Sequence, residues 1–202
     1  MLIIRFIRHA ESAANVGAAT SDPASIPLTP RGHEQARAVS SGFNAAPDLI
    51  VCSPFLRVQQ TATPTCARFT AAPVETWAVQ EFTYLAPLRC AHTTAEQRRP
   101  WVALYWEAAD PLAVDGPGAE SFAAFMWRVS AALDRLAELP LASVALFGHG
   151  QFMQAVRWSI ARRPLVIDAE AMRAFHTFDL AHPIANCAHF TAVSHGGIWS
   201  LS

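Results

Sequence analysis

The sequence predicts an α/β fold of three layers, α/β/α, around a central and largely parallel sheet, and three observations carry that prediction. Short apolar runs containing Val or Ile recur at Leu2–Ile7, Leu49–Cys52, Val74–Val79 and Val144–Phe147, the length and make-up of buried strands. Longer segments with helical apolar spacing separate them, and parallel strands need such crossovers. Three of the strands run directly into polar residues, and open α/β sheets bind ligands beyond the carboxyl ends of their strands.

Each element has its own signal. Leu2–Ile7 delivers Arg8 and His9 at its carboxyl end, and residues 10–28, with Gly, Ser, Asp and Pro, read as an irregular loop. Thr29-Pro30 is a helix start, a hydroxyl cap followed by a proline in the first turn, and Ala36, Val39 and Phe43 supply the apolar stripe. After Leu49–Cys52, Ser53-Pro54 repeats that signal and predicts a helix to about Phe69. Thr93 with Glu96 predicts a capping box for a helix through Trp101, Leu104 and Tyr105, and residues 111–118 form a loop. Phe122, Phe125, Met126, Val129, Leu133 and Leu136 fall on one helical face, giving a helix over Glu120–Glu138. Val144–Phe147 ends in Gly148-His149-Gly150, where a helix from Gln151 to about Ala161 opens. From Phe175 onward the chain reads as short β-like runs, chiefly Cys187–Val193. With no repeat and no low-complexity linker, residues 1–202 are expected to form a single domain.

Composition narrows the chemistry. The formal net charge of −1 comes from mixed acids and bases without a basic stripe, so neither nucleic acid nor a membrane surface is the expected partner. A small metabolite is. All fifteen basic side chains other than His are Arg; the absence of Lys excludes Schiff-base and lysine-nucleophile mechanisms. Cys52, Cys66, Cys90 and Cys187 lack metal-type spacing and read as small hydrophobes in a reducing compartment. The apolar N-terminus is interrupted by Arg5 and Arg8, no run approaches a membrane span of about 20 residues, and a cytoplasmic location is expected.

The strand ends share one chemistry: Arg8 and His9 after the first, Ser53 and then Arg57 after the second, His149 after the fourth. Guanidiniums match phosphate oxygens with paired donors, and a helix opening at Gly150 adds amides and a positive dipole end. No carboxylate or cysteine cluster accompanies them, so no metal and no cofactor is expected, and an imidazole is the expected attacking group. Alone, either histidine would read as a structural residue; their matching strand-end settings give them function. Glu11 and Glu120 read as structural carboxylates, and Trp101, Trp106 and Trp127 as core.

Arg8-His9-Ala10-Glu11-Ser12 with Asn15 resembles the signature of the histidine phosphatase superfamily, the phosphoglycerate mutase-like family. Further blocks follow in that family's order: Leu28-Thr29-Pro30-Arg31-Gly32 with Gln35, Ser53-Pro54 with Arg57, Gln60 and Thr61, Gly118-Ala119-Glu120-Ser121, Gly148-His149-Gly150, and the late Asn186. The resemblance implies a phosphoglycerate mutase-like fold and a phosphatase in which His9 is phosphorylated. Arg8, Asn15, Arg57, His149 and Gly150 would bind the phosphoryl group, with His149 also counted as catalytic. The last motif lacks the His-Asp of one branch, so the resemblance implies a Glu as proton donor. Between Asp48 and Glu96 only Glu75 and Glu81 are available, and Glu75 lies in a predicted strand, leaving Glu81. The family usually has Gly at Ala10, whose methyl is expected to narrow the pocket or to demand a backbone angle more natural to Gly. Two alternatives stand beside the phosphatase. Cofactor-dependent phosphoglycerate mutases resemble it but carry Glu-Arg-x-Tyr-Gly where this chain has Glu81-Phe82-Thr83-Tyr84-Leu85; the other alternative is a phosphate-recognising module without turnover. Substrate choice is expected to reside in residues 84–117, where Tyr84, Arg98 and Arg99 are candidate contacts, and in the 13–27 loop. Oligomeric state has no signal.

Overall fold

The computed structural model describes residues 1–162 and 165–201, so residues 163, 164 and 202 of the expected domain lie outside the described residues. The elements in order are β1 (Leu2–Arg8), α1 (Pro30–Ser41), β2 (Leu49–Cys52), α2 (Leu56–Arg68), β3 (Val74–Thr76), α3 (Pro87–Cys90), α4 (Ala95–Ala108), α5 (Phe122–Ala137), β4 (Ser143–Gly148), α6 (Gly150–Ala161), α7 (Ala169–Ala181), β5 (His189–His195) and β6 (Ile198–Leu201). One six-stranded sheet has the order β3-β2-β4-β1-β5-β6. β3, β2, β4 and β1 are parallel neighbours, while β5 pairs antiparallel with both β1 and β6.

Alternation along the strands sorts residues between two apolar layers. Leu2, Ile4, Phe6, Leu49, Val51, Val144 and Leu146 face α5, α6 and α7; Ile7, Ile50, Cys52, Ala145 and Phe147 face α1 and α2. Helices therefore cover both faces, which is why the central strands are apolar on both sides. Among the described residues no helix is long and apolar enough to cross a membrane.

Several local readings change in the structure. α2 begins at Leu56 with Phe55 as an uncapped N-cap; the Ser53 hydroxyl is taken by His149. The capping box is Thr94 with Gln97, one residue beyond the expected pair, because the Thr93 hydroxyl donates to the Cys90 carbonyl. β3 stops at Thr76; a turn bonding the Val79 amide to the Trp77 carbonyl sends Trp77, Val79 and Phe82 into the core as non-strand backbone. Phe175 belongs not to a β-like run but to α7, capped by Asp168 and burying Met172 and Phe175. α3 and β6 have no counterpart in the sequence reading. Trp127 is 62% exposed rather than core.

Candidate active site

Strand register brings the site together. β4 lies between β2 and β1, and the pairs Arg8↔Gly148 and Cys52↔Phe147 align their carboxyl ends. The His9 amide donates to the Gly148 carbonyl at 3.0 Å and the Ser53 amide to the Phe147 carbonyl at 3.2 Å, extending the ladder one residue beyond the strands. His9 and His149 are thereby adjacent, with ring centroids 5.3 Å apart. The Phe55 ring stands edge-on to His149 at 5.2 Å, and the chain on either side of His149 is anchored by Phe147 and Phe152, both fully buried. Their burial stabilises by roughly 1.5–3 kcal/mol each, more than a neutral hydrogen bond's ~0.5–1.5 kcal/mol. Packing therefore fixes His149, and hydrogen bonds orient its ring.

Hydrogen bonds set both tautomers. His9 Nδ1 lies 2.7 Å from the Ala10 carbonyl oxygen and so carries the proton, which leaves Nε2 with a lone pair, and that lone pair accepts from Arg57 Nε at 3.3 Å. On His149, Nδ1 accepts from an Arg57 terminal nitrogen at 3.1 Å, so Nε2 donates to Ser53 Oγ at 2.8 Å. The third Arg57 nitrogen donates to the Pro23 carbonyl at 2.7 Å. One guanidinium thus spans both imidazoles and the 10–28 loop, and its planar fork lies over the Phe55 ring at 5.0 Å.

Burial, then the Arg57 charge, pushes His9 from its ordinary 6.5 down to about 3. The same two causes, in the same order, hold His149 well below its ordinary value. Arg57 is itself pulled down by burial to about 10 and stays charged at neutral pH. These shifts carry a stability consequence. The unfolded chain takes up protons on both imidazoles near pH 6.5, and the folded protein does not until much lower pH. The unfolded state therefore binds more protons in that window, so this stability is complete above pH 6.5 and is lost as pH falls through the window. The loss is about 1.4 kcal/mol per imidazole at pH ~5.5. Denaturant unfolding between pH 7.5 and 5 is expected to show a shallower pH dependence for His9→Gln than for the parent. Equal slopes would mean that folded His9 takes up the proton.

Glu81 reaches the site from the loop after β3. Its carboxylate accepts from the amides of Gln151 (3.3 Å) and Phe152 (3.2 Å) in the first turn of α6. The helix terminus expected to serve a substrate anion thus holds this carboxylate. Burial pushes the Glu81 carboxyl above its ordinary value, opposed by Arg57, the two amides and Arg8. Arg8 donates to the Ile184 carbonyl, and its Nε, buried without a protein partner among the described residues, lies close to Gly150, where a Cβ would sit 3.5 Å from Arg8 Nε and 3.8 Å from Glu81 Oε2. Arg8, Glu81 and Gly150 border a cavity of about 270 Å³ with Asp179. Arg57 and Glu81 border another of about 310 Å³, so Glu81 stands between the two guanidiniums. Asn15 is exposed, and its Oδ1 accepts from the Ser12 amide and hydroxyl.

The sequence profile of the histidine phosphatase superfamily, branch 1, matches residues 4–182. The chain belongs to that superfamily. Among solved structures it is similar to an α-ribazole phosphatase from Shigella flexneri, with a TM-score of 0.77, 22% identity, and coverage of 100% of this chain and 95% of that one. A mycobacterial glucosyl-3-phosphoglycerate phosphatase aligns with a TM-score of 0.73 and 20% identity over 99% and 96% of the two chains. A phosphoserine phosphatase variant from Entamoeba histolytica, in complex with phosphoserine, aligns at 0.72 and 19% over 100% and 95%. No curated protein matches this chain in sequence.

The superfamily blocks acquire physical reasons. Gly32 is required because a Cβ there would lie 2.1 Å from the Glu11 carbonyl oxygen, so only glycine lets α1 pack on the His9 loop. Thr61 accepts from the Ala10 amide at 3.0 Å and donates to the Arg57 carbonyl at 2.6 Å, tying the His9 loop to α2. Gln60 accepts from the Leu28 amide. Ala10 has no positive φ, and it packs with Leu28 and Ala36; the angle expected to favour glycine is not adopted. Glu11 accepts from the Thr29 hydroxyl at 2.7 Å.

One contributor, Arg128, escaped the sequence reading, and two that it named, Asn186 and Ser53, have roles it did not give. Arg128 of α5 donates to the carbonyls of Ala78 and Gln80 while paired with Glu120, and so fixes the backbone leading into Glu81. Asn186 Nδ2 donates to the His9 carbonyl at 2.9 Å and to Asn15 Oδ1 at 3.2 Å. Ser53 orients His149 rather than capping a helix. The Arg128–Glu120 pairing had a local signal, eight residues apart across a helix start; the other two depend on long-range register.

Proposed function

We propose that this protein is a phosphatase that hydrolyses a small phosphomonoester through a phosphohistidine on His9, with Glu81 as general acid and then general base. The observation that carries the reading is the neutral His9 ring: Nδ1–H is held by the Ala10 carbonyl and the Nε2 lone pair faces Arg57.

The entering phosphate takes over the Arg57 donors that the two imidazoles hold in the free protein. Phosphate oxygens are the stronger acceptors for a guanidinium. Arg8 and the Gly150 amide supply further donors, with Asn15 at the outer edge; once Arg57 turns to the phosphate, the Ser53 hydroxyl can donate to His149 Nε2 and leave the ring proton on Nδ1, which then also donates. The Arg8 and Arg57 charges let the transfer proceed without a metal. His9 Nε2 then attacks phosphorus as the ester P–O bond breaks, and the Glu81 proton passes to the departing oxygen. The substrate dianion helps here, since it offsets the Arg57 and Arg8 charges that oppose the raised Glu81 pKa. In the second half, the Glu81 carboxylate takes a proton from water, the water oxygen attacks phosphorus, and the P–N bond breaks to return phosphate and neutral His9. The names of the neighbouring structures, each a phosphatase of a small phosphorylated compound, support the same substrate scale.

The test is hydrolysis of p-nitrophenyl phosphate and alkyl phosphates with a chelator present, together with trapping of an acid-labile, base-stable phosphoryl enzyme. Absence of turnover and of the trapped species would sink the proposal. Bisphosphate-stimulated interconversion of phosphoglycerates would replace hydrolysis with mutase activity.

A further inference from the structure

The first cavity, with Tyr84 and Arg98 in its lining and Arg99 exposed outside it, is left to the alcohol part of the substrate. The second, of about 270 Å³, holds a carboxylate that the transfer does not use, Asp179. Asp179 is half-buried on the face of α7 that buries Met172 and Phe175, where the helical repeat calls for an apolar side chain. A carboxylate in such a place is costly unless its charge is met. Among the described residues it forms no ion pair, and it accepts one hydrogen bond, from Gln151 Nε2 to Oδ2 at 3.0 Å.

Gln151 joins two acids. Its side chain holds Asp179 while its backbone amide donates to Glu81 Oε2 at 3.3 Å, so one residue in the first turn of α6 separates Asp179 from the proposed proton donor. Arg8 borders the same cavity as both carboxylates, is ion-paired with neither, and has an Nε without a protein partner among the described residues. Burial lowers the Arg8 value, and Glu81 and then Asp179 oppose that. A guanidinium between two acids divides its attraction between them. With Glu81 as its one acid, that attraction would ionise Glu81 and remove the proton that the leaving oxygen needs.

The other titratable groups facing these three are Arg57, His176, Tyr84 and Cys187. Burial pushes Tyr84 up to about 12 and Cys187 up to about 11 and holds His176 below its ordinary value, so all three are neutral above pH 7. Arg57 is charged but lines the other cavity. Asp179 itself is raised by burial, opposed by the Gln151 bond, His176 and Arg8.

We propose that Asp179 is a positioning residue: through the Gln151 side chain it anchors the first turn of α6 beside Glu81, and its charge holds the Arg8 guanidinium back from Glu81. Glu81 then keeps its proton until the phosphate dianion arrives and takes over Arg8, a role that rests on the phosphatase reading above.

The experiment reads pH profiles on one alkyl phosphate for the parent, Asp179→Asn and Asp179→Glu, and for Asp179→Asn combined with Glu81→Gln. Asparagine keeps an acceptor for Gln151 and removes the charge, whereas glutamate keeps the charge and extends into the cavity. The descending limb of kcat/KM reports the acid of the free protein. Asp179→Asn is expected to move that limb to lower pH by about 0.5–1 unit and the limb of kcat by less, since the bound dianion then answers Arg8. Asp179→Glu is expected to leave it within about 0.3 unit of the parent, and adding Asp179→Asn to Glu81→Gln to displace the profile no further. A limb left in place by Asp179→Asn overturns the proposal, as does a uniform loss at every pH, which would make Asp179 structural. Displacement that persists in the Glu81→Gln background overturns it too, because Asp179 would then act on phosphate binding. If the parent hydrolyses no phosphomonoester, or Glu81→Gln keeps the limb, the phosphatase reading or its acid falls and takes this role with it.

Discussion

His9→Ala is expected to lower kcat for every phosphomonoester by at least about 10⁴-fold and to abolish the acid-labile phosphoryl enzyme. The magnitude follows from what is lost. Two imidazole nitrogens present a lone pair to the Arg57 guanidinium, His9 Nε2 and His149 Nδ1, and the proposed attack is by the first. His149 does not substitute, because its Nε2 proton is committed to Ser53 and its ring is fully buried, with the Phe55 ring edge-on at 5.2 Å. His149→Ala keeps the nucleophile and removes a phosphoryl contact, so its loss is expected to be smaller, about 10²–10³-fold. The His9 variant will fold, since the side chain makes one bond to an adjacent carbonyl and accepts one from Arg57, and Arg57 retains Pro23 and His149. Circular dichroism and an unfolding curve check that point. A His9→Ala protein retaining more than about 1% of parental kcat would show that phosphoryl transfer does not pass through this residue.

How much of this site could be read from the chain depends on the distance over which each contact is decided. Strands β1, β2 and β4 are legible because their apolar runs are buried on both faces, and their polar ends are legible as departures from those runs. The partnership of His9 with His149 needs only that the strands be parallel neighbours, which the alternation of elements implies. By contrast, α7 is not legible as a helix: a reading that starts at Phe175 begins inside it, past its N-cap Asp168 and past Met172, which shares the buried face of Phe175. Its packing on α4 and α6 decides the matter, and neither contact is local. The offset of one residue in the α4 capping box is only partly of that kind: the Thr93 hydroxyl is drawn to Cys90, three residues back, while its carbonyl accepts from the distant Thr20 amide. Arg57 shows the limit most clearly. Its presence at the site follows from the motif, but its threefold grip on His9, His149 and Pro23 comes from the meeting of a strand end, a helix and a loop. The tautomers of both rings depend on that grip.

Glu81→Gln separates the two halves of the reaction, and its effect is expected to depend on the leaving group. The Gln151 and Phe152 amides donate to different oxygens of Glu81, so a glutamine keeps one of the two bonds to the α6 terminus while it loses the titratable proton. With an alkyl phosphate the departing alkoxide needs that proton, and kcat is expected to fall by about 10²–10⁴-fold. With p-nitrophenyl phosphate the leaving group departs as a stable anion, so the first half-reaction survives. The variant should then release a burst of p-nitrophenol equal to the enzyme concentration and turn over slowly, because the water that attacks phospho-His9 has lost its base. The pH dependence carries the same signature. Burial raises the Glu81 pKa, and the protonated form is the active acid, so the alkyl phosphate rate of the parent should fall as pH rises through that raised value. In Glu81→Gln that descending limb should vanish, leaving a lower and flatter profile. Rapid-quench measurements with both substrates decide the matter. Equal losses in the burst and in steady turnover, with the limb intact, would move the proton donor away from Glu81 and leave that carboxylate as a cap on α6.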